Sequence, residues 1–153
     1  MNIVKYPDSI LREKNQEIKD PTAPEIKQLI LDMTQTLRSN NGLGLAAPQV
    51  GKNLKLCLIE IENELFVLMN PEIKSLSKEA VSMEEGCLSF PGKFMQIERA
   101  KRIKVKATDV NGKKQIIRAK GLLARAIQHE VDHLNGVLIV DKVEEGESPQ
   151  KLD

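Results

Sequence analysis

The chain has 153 residues, with 23 Lys or Arg against 22 Asp or Glu, so its formal charge is only +1. A domain of that length buries about 70% of the surface its unfolded chain would expose, and near-neutrality gives no overall field for nucleic acid or an anionic membrane. Aromatic residues make up 3%, with no Trp and one Tyr, too few for a platform on which bases stack.

No run approaches the ~18 apolar residues of a membrane span, and Met1-Asn2-Ile3-Val4-Lys5 lacks a signal-peptide pattern. Two cysteines without an export signal suggest a reducing cytoplasm, where they serve as free thiols or a ligand in preference to a disulfide.

Residues 1–20 are polar and mixed, and Pro7-Asp8-Ser9 can open a short turn over Ile10 and Leu11. Thr22-Ala23-Pro24-Glu25 predicts a helix start, with Thr22 as N-cap and Glu25 completing a capping box. Pro24 falls in the tolerant first turn. Ile26, Leu29, Ile30, Met33 and Leu37 follow at helical spacing, and Asn40-Asn41-Gly42 suits a helix end. Gly42-Leu43-Gly44-Leu45-Ala46-Ala47-Pro48-Gln49 reads as a loop whose glycines let the backbone approach another group. A phosphate loop is a poor reading there, because no Lys-Ser/Thr pair ends it and Pro48 and Gly51 break a following helix.

Residues 54–61 and 65–69 are apolar, partly alternating runs joined by Glu62-Asn63-Glu64, hence two antiparallel strands. Cys57 within the first reads as a small buried hydrophobe. Asn70-Pro71 predicts a turn, with a further strand over 72–77. Glu84-Glu85-Gly86-Cys87-Leu88-Ser89-Phe90-Pro91-Gly92 sets Cys87 among turn residues, where a thiol can be inert, nucleophilic or a ligand. Residues 102–108 alternate, with Ile103, Val105 and Ala107 opposite Lys104, Lys106 and Thr108. Asn111-Gly112 is a hairpin signal, and 115–119 return. Gly121 opens a last helix through Leu122, Leu123, Ala126, Ile127, Val131 and Leu134, which Asn135-Gly136 ends. Residues 137–140 form a short apolar run and 144–153 a polar tail. With no repeat or linker, residues 1–153 read as a single catalytic domain.

The last helix carries the only two histidines, in Gln128-His129-Glu130-Val131-Asp132-His133. Side chains at i and i+4 share a face about 6 Å apart along the axis, so two imidazoles can close on one divalent metal. Glu130 projects beside them as a general base that need not be a ligand. The plain alternative is chance spacing of two ordinary histidines.

A catalytic zinc-like site uses three protein ligands, and no third histidine exists. Glu144, Glu145 and Glu147 lie in the tail. A Cys87 nucleophile would need a histidine base, and both histidines are taken up by the helix pair, so Cys87 is the better third donor. A thiolate suits zinc or ferrous iron, and on iron it implies oxygen sensitivity. A metal of this kind acidifies water toward ~7. Glu130 would take the proton and return it to a leaving amine. Gln49 and a backbone N–H beside Cys87 would donate to the oxyanion.

These residues point to a metal-dependent hydrolase of an amide. The rivals are a His-Glu-x-x-His metallopeptidase, which lacks its usual third ligand, and a structural zinc module, which would need Cys57 as a fourth.

Together, Gly42-Leu43-Gly44-Leu45-Ala46-Ala47-Pro48-Gln49, Glu85-Gly86-Cys87-Leu88-Ser89 and Gln128-His129-Glu130-Val131-Asp132-His133 resemble the three motifs of the peptide deformylase family, in that family's order. The resemblance spans residues 1–142. It implies removal of the formyl group from the N-formylmethionine of new polypeptides, releasing formate. It also implies one divalent metal ion, Fe2+ natively, with Zn2+ or Ni2+ as substitutes. The expected fold is α+β, with antiparallel β-sheets surrounding a central C-terminal helix that carries the His-Glu-x-x-His motif.

Carried over by residue, Cys87, His129 and His133 would be the ligands and Glu130 the acid/base. Gln49 and the Leu88 N–H would steady the oxyanion. Leu43, Gly44 and Gly86 would pair with the substrate backbone as a strand. Leu122, Arg125 and Ala126 would border the methionine pocket, Arg125 through its aliphatic stem. Glu85 resembles the family's bracing acid, with Arg99 as its ion-pair partner.

The expected partners are N-formylmethionyl nascent polypeptides, with no direct nucleic-acid or membrane binding. The expected form is a monomer in the cytoplasm of a bacterium or a phage-infected bacterial cell. Many bacterial relatives carry a long basic C-terminal helix used in ribosome docking. This sequence stops at Asp153 after an acidic tail, so docking by that route is not expected.

Overall fold

In the computed structural model, which describes residues 1–143, the apolar stripe of Ile26, Leu29, Ile30, Met33 and Leu37 forms the buried side of helix α1, Pro24–Ser39. Its start corrects the expected capping box. Ala23 is the N-cap and no side chain caps the helix, while Thr22 Oγ1 donates to Asp20 at 3.4 Å. Pro24 eases the omission, since its missing N–H would have had no helical partner. The helix ends as expected, with Asn41 at φ +52° and the Gly42 N–H closing on the Leu37 carbonyl at 3.1 Å.

Seven strands follow, β1 Gly44–Ala46, β2 Leu56–Ile61, β3 Glu64–Leu76, β4 Ala80–Cys87, β5 Phe90–Ala100, β6 Arg102–Thr108 and β7 Lys114–Lys120. The last helix is α2, Gly121–Leu134. The main sheet is antiparallel in the order β1-β2-β3-β6-β7, and β4 and β5 form a separate hairpin. The expected loop at 42–49 thus contains a short edge strand and one 3₁₀ turn, Ala47–Val50.

Asn70-Pro71 is not a turn. Strand β3 runs through it with a shift of register between Met69 and Glu72. Asn70 takes φ +50°, and its side chain bonds both the N–H and the carbonyl of Ile18, at 2.8 and 2.9 Å. Those two bonds replace the ones a bulge removes from the ladder. Cys87 likewise ends a strand rather than sitting in a loop. The β4–β5 hairpin was not legible as strands because Val81, Met83 and Phe94 stay exposed, so the apolar period does not mark a core face.

Strand β2 is buried on both sides, which is why it reads as a nearly continuous apolar run. Leu56 and Leu58 pack with the α1 residues, whereas Cys57 and Ile59 pack with Ala124, Ile127 and Val131 of α2. On its other side α2 meets β5 and carries Arg125 and His129 toward the hairpin. Helix α2 therefore lies between the two sheets with α1 outside, the arrangement expected. Its polar motif is held inside the protein with little room to move. Cys57 is fully buried, and both cysteines are free thiols. No described helix is long and apolar enough to cross a membrane.

Candidate metal centre and its cleft

Helix α2 presents His129 and His133 one turn apart on the same face, and both are buried. The end of β4 brings Cys87 to them. Its Sγ lies 3.3 Å from His133 Nε2. One donor atom from each of Cys87, His129 and His133 falls within a set spanning no more than 4.8 Å. Around a tetrahedral ion with metal–sulfur and metal–nitrogen bonds of about 2.3 and 2.1 Å, donors stand roughly 3.3–3.6 Å apart. The set is therefore compact enough for one ion, and its sulfur and imidazole donors match zinc or ferrous iron.

The two imidazoles are held differently. His129 Nδ1 donates to Glu85 Oε1 at 2.9 Å, leaving Nε2 as its free donor atom. His133 Nδ1 is buried without a hydrogen-bond partner. Burial opposes charge on both rings. At His129 the neighbouring Glu130, Cys87 and Glu85 overcome it and raise the pKa well above the ordinary value. At His133 burial dominates, helped by His129 itself, and the ring is held neutral.

Glu85 is the hub of a buried network. Arg99 grips it with two bonds of 2.6 and 3.0 Å, and Arg125 Nη1 adds a third at 2.6 Å. Arg99 also reaches Asp132 at 2.8 Å. Arg125 donates to the carbonyls of Ile97, at 3.0 Å, and Val81. Burial alone would raise the Glu85 pKa, but the bonds from His129 and Arg99 win and lower it to about 2. The pairing of Glu85 with Arg99 was expected. The guanidinium of Arg125 and the carboxylate of Asp132 were not. Neither partnership leaves a local signal, because the contacts join residues far apart in the chain.

Glu130 is the opposite case. It is buried, its Oε1 has no hydrogen-bond partner, and its Oε2 lies 3.9 Å from His129 Nε2. Burial raises its pKa to about 7 against the opposing charges of His129 and Arg99. Gly44 faces it so closely that an added Cβ would stand 2.5 Å from Glu130 Oε2. Glycine is required there by close approach, not by an unusual φ.

Gln49 is oriented by three groups. The Ala46 N–H donates to its Oε1 at 2.9 Å, which turns its amide nitrogen toward Ser89 Oγ at 3.1 Å and Cys87 Sγ at 3.5 Å. Ser89 Oγ donates in turn to the Val4 carbonyl at 2.7 Å. A carbonyl can only accept, so the hydroxyl must present a lone pair to Gln49. Ser89 and Val4 were not singled out from the sequence, although Ser89 closes the Cys87 motif.

These groups line a cleft of about 580 Å³. It brings together Leu43, Gly44, Gln49, Gly86, Cys87, Leu88, Leu122, Arg125, Ala126, His129 and Glu130, with Met83 and Phe94 exposed at its mouth. His133 completes the donor set from behind. Arg125 turns its guanidinium into the Glu85 network, so only its stem is available to the cleft.

The family model described as polypeptide deformylase matches residues 1–148. The peptide deformylase of Dictyoglomus thermophilum is 46% identical over 143 residues, covering 94% of this chain and 92% of that protein. Among solved structures, peptide deformylase from Thermotoga maritima superposes with a TM-score of 0.91 at 40% identity, covering 94% of this chain and 97% of that one. The Synechococcus elongatus enzyme in complex with actinonin gives 0.93 at 42% identity, covering 99% and 81%.

Proposed function

Because the chain belongs to the peptide deformylase family, we propose that Cys87, His129 and His133 hold its metal ion and that Glu130 carries the proton. The protein is a metal-dependent hydrolase that removes the formyl group from N-formylmethionine at the start of new polypeptides, releasing formate. The observation that carries the assignment of residues is the compact sulfur and imidazole set with a buried, unpartnered carboxylate beside it.

When bound, a divalent ion supplies Lewis acidity that polarises the formyl group and eases deprotonation of water. Fe2+ is the proposed native ion, with Zn2+ or Ni2+ as substitutes, because one thiolate and two imidazoles suit those metals. Glu130, with a pKa raised to about 7, accepts the proton of the attacking water on a carboxylate oxygen. It then gives that proton to the methionine nitrogen as the C–N bond breaks, and a pKa near the working pH favours both transfers. The Gln49 amide and the Leu88 N–H donate to the oxygen on which negative charge develops. One such donor is typically worth about 3–4 kcal/mol.

Strand β1 is an edge of the main sheet, so an extended peptide can pair with the backbone at Leu43 and Gly44, with Gly86 opposite. Pairing of this kind selects a chain direction rather than a sequence. The methionine side chain takes the apolar ground beside Leu122, Ala126 and the stem of Arg125. The same reading makes residues 1–153 one catalytic domain, monomeric and cytoplasmic, acting on nascent chains.

The test is formate release from a formyl-Met peptide by protein purified without oxygen. The expected result is one formate per peptide, with no reaction on the same peptide blocked by acetyl. Cleavage at internal bonds, or no formate from a metal-loaded sample, would refute the proposal.

A further inference from the structure

The two imidazoles of the centre differ in what fixes them. His129 is oriented through its own ring, by Glu85. His133 has a buried Nδ1 without a hydrogen-bond partner, and the atom its Nε2 meets, Cys87 Sγ, belongs to another of the proposed ligands. Apart from packing, its place is therefore set by the backbone that carries it. That backbone is the end of α2, one residue before the helix stops at Leu134. The last four carbonyls of a helix have no helical N–H to accept from, and the turn after α2 satisfies only some of them. The N–H groups of Asn135 and Val137 close on the Asp132 carbonyl at 2.9 and 2.8 Å, and that of Gly136 on the His133 carbonyl at 3.1 Å. The Leu134 carbonyl takes its bond from a side chain far away in the sequence. Asn15 Nδ2 donates to it at 2.9 Å and to the His133 carbonyl at 3.4 Å.

We propose that Asn15 is a positioning residue for the metal centre, supplying through the backbone of His133 the restraint that Glu85 supplies to His129 through its ring. Asn15 is buried, with 3% of its surface exposed, and every polar atom of its side chain is used. Its Oδ1 accepts from Asn53 Nδ2 at 3.2 Å, which leaves both amide hydrogens for the helix end. The anchor is itself fixed. The Gln16 N–H donates to the Asn53 carbonyl at 2.9 Å, and the Lys55 N–H to the Gln16 carbonyl at 2.8 Å, just before β2. The turn after α2 is pressed on the same segment, since an added Cβ at Gly136 would stand 3.3 Å from the Arg12 carbonyl oxygen. A metal ligand has to sit within about 0.2 Å of its bonding distance. A small slip of the helix end would pass straight to an imidazole that has no orienting bond of its own. The proposal rests on the reading of His133 as a ligand.

The experiment measures Zn2+ affinity of the full chain by competition with a chromophoric chelator, with thermal unfolding of the metal-free samples alongside. Asn15→Leu keeps the size of the side chain and removes its donors. Its Zn2+ dissociation constant should rise about tenfold, the lower end of what an orienting partner contributes to a metal site. Lower stability alone does not move that constant while the metal-free protein stays folded. Ile30→Ala supplies the comparison, because it empties part of the core under α1, a cluster that holds no residue of α2. It should lower Tm at least as far, yet leave the Zn2+ constant within about twofold of the parent. Should Asn15→Leu not fold, Asn15→Ser takes its place. Its short hydroxyl cannot span both carbonyls, and the constant should rise severalfold. A parent-like constant in the Asn15 variant, whatever its Tm, would overturn the proposal. Equal weakening in Ile30→Ala would do the same, since the effect would then be general loosening. A parent that binds no Zn2+ would refute Cys87, His129 and His133 as the ligands, and this proposal with them.

Discussion

Glu85, near the end of β4, and Glu130, in the middle of α2, are both buried and both close to His129, yet the protein treats them in opposite ways. Glu85 accepts bonds from Arg99, Arg125 and His129 and stays ionised far into acid. Glu130 has an oxygen with no partner and a pKa raised to about 7. Two carboxylates whose surroundings drive their pKa values apart divide the work. In the proposed centre the first holds His129 in orientation, and the second would be free to exchange a proton. Satisfying Glu130 as fully as Glu85 would abolish that freedom.

Glu130→Gln attacks the contrast most sharply. Turnover should fall by about 10²–10⁴, while metal content and folding stability hold, because no buried partner is orphaned. Steady-state kinetics with metal analysis check this, and near-normal turnover would remove Glu130 from the proton path. Glu85→Gln should do the reverse, leaving the buried Arg125 guanidinium without an anion and Arg99 with Asp132 alone. A loss of about 3–5 kcal/mol in urea unfolding is expected, with metal affinity down about 10–100-fold because His129 loses its orienting partner.

Acid titration separates the two residues in the unmutated protein. A carboxylate with a depressed folded pKa contributes stability that is fully present above its unfolded value. That contribution is lost as pH falls through the folded value. For Glu85 the window runs from about 4.5 down to about 2, and the amount at stake is on the order of 3 kcal/mol. Urea midpoints measured across that window should fall, and should fall less in Glu85→Gln.

Ser89→Ala has the smallest expected effect. It removes the hydroxyl that holds Gln49, and about 1 kcal/mol should appear as a severalfold lower kcat with KM unchanged. A change confined to Tm would mean that Ser89 only braces the N-terminal segment.

Much of this centre was legible in advance because its chemistry is local. His129, Glu130 and His133 lie within one and a half turns of helix, and the shortage of other donors pointed to Cys87. What escaped notice depends on distant contacts or on exposure. Arg125 could be placed at the cleft but not in the Glu85 network, since nothing near it in sequence shows where its guanidinium ends. The β4–β5 hairpin turns Val81, Met83 and Phe94 outward, so the usual core alternation is missing. Asn70-Pro71 carries a turn signature, but bonds to Ile18 hold it inside a continuous strand. Thr22 has the right spacing for a cap, and its hydroxyl is spent on Asp20.

Cobalt substitution reads the proposed coordination without relying on turnover. Loaded with Co2+ in the absence of oxygen, the protein should bind one ion per chain and show a sulfur-to-cobalt charge-transfer band. Cys87→Ser should lose that band. A stoichiometric cobalt complex without it, or one in which it survives Cys87→Ser, would contradict the three-donor centre on which this account stands.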